Sequence, residues 1–308
     1  MKHRYQYGKR WQGVSKKIML MDGALGTGLW EKADVKIPVW HYNIENPKIV
    51  RELHAEYVQA GSQVINTNTF AANGPEVARD SSYSVEEVVA TGVRIAKDAA
   101  NGRAKVALSV GPLTELLKPF GEISHEQAKS LFEEQIGGGM REKPDIIYLE
   151  TFMDLEMLKI AVKVANCYDV PVFCSMSFKG KVRQDGNRSK VAHTIMGNSV
   201  ADIVAGLKDC RVEAVGLNCS LGPEDALPVV AEFSAATDLP IIFKPNAGKP
   251  SIGEDGEVSA AFDVETFVND AIPAVDLGAT YIGACCGSNP AYIKRLAERV
   301  REKLEAEH

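Results

Sequence analysis

Short apolar runs rich in β-branched residues recur along the chain, each followed by a longer stretch in which apolar residues return every three or four positions. That alternation is the pattern of strands buried on both faces with helices packed over them. Eight runs are legible: IMLMDGA from Ile18, QVINTNTF from Gln63, KVALSVGP from Lys105, DIIYLETF from Asp145, VPVFCSMSF from Val170, AVGLNCS from Ala214, LPIIFKPNAG from Leu239 and TYIGACCGS from Thr280. Helices are predicted between them. NPKIVRELHAEYVQAG sets Ile49, Leu53 and Tyr57 on one stripe and stops at Gly61. SHEQAKSLFEEQ opens with Ser124 and Gln127 at capping-box spacing, NPAYIKRLAERV starts with Pro290 as its first helical residue, and DSSYSVEEVV from Asp80 reads as a helix start.

Eight strand–helix pairs with no Pro/Gly-rich linker predict an α/β architecture, a single (β/α)8 TIM barrel over residues 18–308 preceded by a basic, aromatic arm over residues 1–17. A doubly wound open sheet is the structural alternative, because a count of strands does not prove closure.

Composition narrows the functional classes. The chain has 308 residues, 45% hydrophobic and 25% charged, which is ordinary for a globular protein with a sizeable core. No run of about 18 apolar residues is present, so no membrane span is expected. The net charge of −6 comes from 41 acidic and 35 basic residues spread along the chain, which argues against a nucleic-acid partner. The opening segment lacks the pattern of a secretory signal, and six cysteines in such a chain point to reduced thiols in the cytoplasm.

In a barrel of this kind chemistry concentrates at the carboxyl ends of the strands. Those ends read Asp22-Gly23-Ala24, Asn66-Thr67-Asn68-Thr69, Gly111-Pro112, Glu150-Thr151, Ser175-Met176-Ser177, Asn218-Cys219, Pro245-Asn246-Ala247-Gly248 and Cys285-Cys286-Gly287. Closure would bring Cys219, Cys285 and Cys286 to one rim. Three thiolates there can hold zinc, with a fourth position left open as in catalytic sites. Three small core residues, or a strained disulfide between the neighbours, explain the same spacing. Cys167, Cys174 and Cys210 read as buried thiols of helix or strand. His54, His125 and His193 are assigned to no metal. KGKVRQDGNRSKVAHT from Lys179 and GKPSIGEDGEVSAAF from Gly248 read as long loops on the active face, either solvated or acting as lids.

MDGALGT, INTNTF, LETF, GLNCS, PNAG and GACCG occur together in this order across nearly the whole chain, and in this it resembles the homocysteine S-methyltransferase family. The motifs are similar to those of the homocysteine domain of cobalamin-dependent methionine synthase above all, and also to betaine-homocysteine methyltransferase. The resemblance implies a zinc-dependent barrel enzyme with Cys219, Cys285 and Cys286 as metal ligands, and with Asn246 as a fourth ligand when substrate is absent. It also implies that Asp22, Gly23 and Glu150 lie around homocysteine.

A free thiol is mostly protonated at neutral pH, and coordination to Zn2+ removes that proton. The expected reaction is therefore attack of the homocysteine sulfur on an electrophilic methyl group, giving methionine. Glu150 and Asp22 are candidate acceptors for the substrate ammonium. The turn at Gly23 and Ala24 offers backbone N–H groups to its carboxylate, and Asn68 and Thr69 are further donors. No DxHxxG corrinoid signature is present and one helix follows the eighth run, so the expected donor is a methyl-corrinoid on a separate protein. A small donor, S-methylmethionine or betaine, is the rival, with Trp40, Tyr42, Phe70 or Phe152 contributing to a cage for a cationic methyl group. A zinc barrel enzyme acting on another thiol or by hydrolysis, and a non-catalytic zinc or docking module, are also compatible with these residues.

Overall fold

Every one of the eight apolar runs forms a parallel strand of one sheet in the computed structural model of the protein, which describes residues 18–182, 188–248, 251–252, 258–259 and 262–306. The strands are β1 (Met19–Leu20), β2 (Val64–Asn66), β3 (Lys105–Val110), β4 (Ile146–Phe152), β5 (Val172–Met176), β6 (Ala214–Asn218), β7 (Ile241–Lys244) and β8 (Ala279–Ile282). Their spatial order is β1-β8-β7-β6-β5-β4-β3-β2. The two ends of that order meet. Met21 bridges Val64 in parallel, Gln63 N–H donates to Leu20 O at 2.7 Å, and Asp22 N–H donates to Val64 O at 3.1 Å. The ring is thus a barrel, and the open sheet is set aside.

Helices cover the outside as the periodicity requires. Pro47–Ala60 ends at Gly61, Val85–Ala100 starts from a Ser84 cap, and Pro290–Ala306 follows β8. His125–Met140 carries the full reciprocal capping box between Ser124 and Gln127. No helix among the described residues is long and apolar enough to cross a membrane. Each of the two long loops contains a short antiparallel strand pair. Lys179–Val182 pairs antiparallel with Arg188–His193 after β5, and Ser251–Ile252 with Val258–Ser259 after β7. The rest of these loops, at 183–187, 249–250, 253–257 and 260–261, and the arm at 1–17, lie outside the described residues.

Successive strand residues point to opposite faces, so the inward set is every second residue. Met21, Val64, Ala107, Ile146, Tyr148, Phe173, Ala214 and Ile242, with Met19 and Tyr281 against them, form an apolar plug separate from the larger core between sheet and helices. Two residues further along the same strands, or four in β6 where Gly216 intervenes, the inward positions become polar: Asn66, Ser109, Glu150, Ser175, Asn218 and Lys244, all buried. The barrel is therefore a sealed foundation below and a polar floor above. Gly216 keeps the ring tight, since a Cβ there would stand 2.0 Å from Ile242 O of the neighbouring strand.

Candidate active site

Three thiols meet above the floor. Cys219 follows β6 and Cys285–Cys286 follow β8, with β7 between them. Cys219 Sγ lies 2.9 Å from Cys285 Sγ and 3.5 Å from Cys286 Sγ, and all three sulfurs fall within 4.8 Å of one another. The end of β7 sets this register. Lys244 O accepts from Cys219 N–H at 3.0 Å and Pro245 O from Cys285 N–H at 2.8 Å, while Ala247 N–H donates to Cys286 O at 2.9 Å. Cys219 and Ser220 have φ of 58° and 60°, a left-handed conformation that non-glycine residues hold only when neighbours enforce it. Ser220 does so through Phe178, donating to its carbonyl at 2.7 Å and accepting from its N–H at 3.2 Å.

The thiols are electronically unequal. Cys286 is pulled far below the usual thiol range, to about 3, by hydrogen bonds from Cys219 and Cys285. Cys219 is pushed well above it by its bonds to Cys285 and Cys286 and by burial. Three thiols gathered this closely offer a cation three soft donors at once. Sulfurs sharing a tetrahedral zinc stand a little under about 4 Å apart, and this spacing needs only a small adjustment. Asn246 lies in the loop after β7, with a buried Oδ1 that has no hydrogen-bond partner among the described residues and a backbone N–H fixed to Leu221 O at 2.9 Å, but it is not among the residues lining the cavity that the cysteines share. Three convergent sulfur donors fit a borderline-soft ion such as zinc.

Below the sulfurs lies a cavity of about 260 Å³, room for a small amino acid. It is lined by Gly23, Ala24, Asn68, Glu150 and the three cysteines, and also by Thr27, Asn66, Ser109, Thr151 and Lys244. Glu150 is held from three strands: Asn66 Nδ2 and Ser109 Oγ donate to Oε1, and Asn218 Nδ2 donates to Oε2 at 3.3 Å. Burial raises its pKa to about 7, against the pull of Lys244. Asn218 uses its whole side chain in this frame. Its Oδ1 accepts from Thr151 N–H at 2.8 Å and Ser175 Oγ at 2.6 Å, and its Nδ2 also donates to Thr151 Oγ1 at 2.7 Å. That clamps Thr151, whose φ of 64° is again left-handed.

Asp22 is placed differently from Glu150. Its Oδ1 accepts from Lys244 Nζ at 2.7 Å and its Oδ2 from Asn66 N–H at 2.7 Å, with both partners of the ion pair buried. Burial works against the Lys244 charge, but Asp22, Glu150 and Cys285 together push its pKa above the ordinary lysine value. The Gly23–Ala24 turn packs on Tyr57 and Ser288: a Cβ on Gly23 would stand 2.6 Å from Ser288 Oγ and 2.8 Å from Tyr57 Oη. Ala24 N–H already donates to Ser288 Oγ at 3.1 Å.

Of the residues singled out from sequence, the structure brings together Gly23, Ala24, Glu150 and the three cysteines around one cavity, with Asp22 beneath it. Asn68 lines the cavity, but its amide donates to Val39 O and Asn43 Oδ1. Thr69 does not line it, and its hydroxyl is buried between Thr67 and Ser109 O. Among the aromatic candidates Phe70 lines the cavity, whereas Trp40, Tyr42 and Phe152 are core residues. Cys174 is buried as expected, while Cys167 is exposed, because it sits in the turn just beyond the helix Leu155–Ala165. Sequence reasoning passed over Lys244 and Ser109, and it set Asn66 and Asn218 at strand ends without giving either a role. A lysine inside the apolar run IIFKP was the one signal available.

Fold and site together define a class, a (β/α)8 barrel with three convergent cysteines at its carboxyl rim. The chain belongs to the homocysteine S-methyltransferase family, a family of methyltransferases whose profile matches residues 19–300. It is 26% identical over 308 aligned residues to the methionine synthase of Mycobacterium tuberculosis, covering 93% of this chain and 25% of that protein. It is 25% identical to mouse betaine–homocysteine S-methyltransferase 1, covering 92% of this chain and 72% of that one. The chain thus spans about a quarter of the length of the mycobacterial methionine synthases it matches. The oxidised form of the Escherichia coli homocysteine methyltransferase MmuM superposes with TM-score 0.74 at 23% identity over 92% of this chain and 96% of that one. Its metallated form also gives 0.74, at 22% identity with the same coverage.

Proposed function

We propose that this protein transfers a methyl group to the thiol of homocysteine, giving methionine, with zinc held by Cys219, Cys285 and Cys286 and the methyl group delivered by a corrinoid on a separate protein. One observation carries the reading: three convergent sulfurs stand over an amino-acid-sized cavity floored by a buried carboxylate, Glu150. A zinc ion in the cradle would supply the acidity that turns the incoming thiol into a thiolate.

The chain's own residues do the positioning. Glu150 accepts the substrate ammonium, helped by Asn66 Oδ1, which lines the cavity without a hydrogen-bond partner among the described residues. Thr27 Oγ1, also on the lining without a partner, donates to the substrate carboxylate beside the Gly23–Ala24 turn. Asn218 and Ser109 keep Glu150 from turning, and Ser220 keeps Cys219 in its left-handed conformation. Two fixed ends place the sulfur where a methyl group can approach from the rim. The sulfur lone pair forms the new S–C bond while the leaving atom of the donor keeps the electron pair of the bond that breaks.

Two features favour a large donor over a small cationic one. A cage would need several aromatic faces, and of the four candidates only Phe70 lines the cavity. Further, the exposed large apolar side chains among the described residues, Trp30, Val35, Phe70, Leu116, Phe120, Met153 and Ile195, all lie in segments that follow strand carboxyl ends. Apolar surface gathered on one face suits a docking partner.

The test is to incubate zinc-loaded protein with homocysteine and, in parallel, methylcobalamin, betaine and S-methylmethionine. Methionine is expected with methylcobalamin; formation only from a small donor moves the assignment to that donor, and formation from none counts against the activity. In the same preparation Cys219→Ala and Cys286→Ala should lose bound metal, and a full metal complement in either would remove the three-sulfur cradle.

A further inference from the structure

Lys244 is the cationic side chain on the cavity lining among the described residues, and it is 2% exposed. It extends inward from the end of β7, with Nζ 2.7 Å from Asp22 Oδ1 and 5.9 Å from the centre of the Tyr148 ring. Burying an ammonium and a carboxylate together carries a desolvation penalty that their attraction often fails to offset, so such a pair is poorly explained by stability alone. Its effect on the floor is specific. With Lys244 in place both oxygens of Asp22 are engaged, one by Nζ and one by Asn66 N–H. With Asp22 paired to Lys244, the carboxylate of the floor left without a cationic hydrogen-bond partner is Glu150, which is held only by two amides and a hydroxyl. Without Lys244 a second buried carboxylate, Asp22, would stand without its ammonium partner just beneath the cavity, and an incoming ammonium would have two places to go.

We propose that Lys244 is a positioning residue, a resident counter-ion that occupies Asp22 so that Glu150 is the single acceptor open to a substrate ammonium, which fixes where the substrate sulfur falls beneath the three cysteines. The inference rests on reading the cavity as an amino-acid thiol site. It makes an unusual demand on mutants. In Asp22→Asn the lysine loses its partner and turns to Glu150, the remaining carboxylate of the floor, closing the ammonium site from within. Removing the lysine as well should reopen it.

The experiment is a calorimetric titration of L-methionine, which presents the same ammonium and carboxylate as the thiol substrate but needs neither metal nor donor. It compares the natural protein with Asp22→Asn, Lys244→Met and the double variant. Affinity should fall roughly 100-fold in Asp22→Asn and recover at least about tenfold in the double variant, the sign of coupling expected of residues that act as a pair. The double variant replaces an ion pair by neutral groups of similar size and should fold even where Lys244→Met, left with two facing carboxylates, does not. Asp22→Asn binding as tightly as the natural protein, or a double variant no tighter than Asp22→Asn, would overturn the role of Lys244. Absence of methionine and homocysteine binding by the natural protein would instead strike the amino-acid thiol reading itself.

Discussion

Glu150 shows how a residue legible in sequence acquires its chemistry only in the fold. Its position at the end of an apolar run marks it as a carboxylate needing partners, but the partners come from β2, β3 and β6, and no local pattern names them. Burial raises its pKa to about 7, so near neutrality it is divided between a neutral acid and an ammonium acceptor. Because only the ionised form attracts an ammonium, methionine affinity should rise about tenfold between about pH 6 and pH 8, a range in which the ligand itself stays zwitterionic. Glu150→Gln should bind more weakly and lose that dependence; calorimetry at the two pH values checks both. Lys244 was illegible for a related reason. Its meaning depends on Asp22, which is 222 positions away and is reached only once the ring has closed.

At the scale of elements, the strands and the main helices follow from periodicity, because inward and outward faces repeat every second or every three to four residues. What periodicity hides is a polar residue on a buried face. The helix Pro47–Ala60 shows the expected stripe of Ile49, Leu53 and Tyr57, yet it also buries His54 completely, with neither ring nitrogen partnered among the described residues. Burial lowers the His54 pKa from 6.5 to about 4. The unfolded chain therefore binds the proton more readily between those values, so stability is complete above about pH 6.5 and declines as pH falls toward 4. The loss approaches about 3 kcal/mol at the acid end, at about 1.4 kcal/mol per pH unit of separation. Denaturant midpoints at pH 7 and pH 4.5 should converge in His54→Leu relative to the natural protein. The hairpins after β5 and β7 were missed because both segments are polar and carry no clean alternation.

For the whole molecule, the barrel was legible as a count of units, and the three cysteines as residues that only closure unites. Closure was the uncertain step, and it depends on one bridge and two hydrogen bonds beside β1. The one-sided apolar rim could not be anticipated from sequence, since its members are scattered from Trp30 to Ile195. Leu116 and Phe120, 41% and 73% exposed, both come from the segment between β3 and the helix His125–Met140, which makes that segment the place to disturb docking. Leu116→Glu with Phe120→Glu should lower kcat/KM with a protein-borne corrinoid about tenfold or more while leaving turnover of free methylcobalamin within about twofold. Equal effects on both donors would show that the rim contacts no partner.

The cradle has a mechanical corollary. Its sulfurs come from loops on either side of β7, and that strand's last carbonyls hold both loops in register. A cation gripped there would act as a rivet across three staves, tightening a third of the hoop by mass action. Chelation should therefore lower the melting temperature and quicken amide exchange along β6 to β8 while the opposite arc, β2 to β4, exchanges as before.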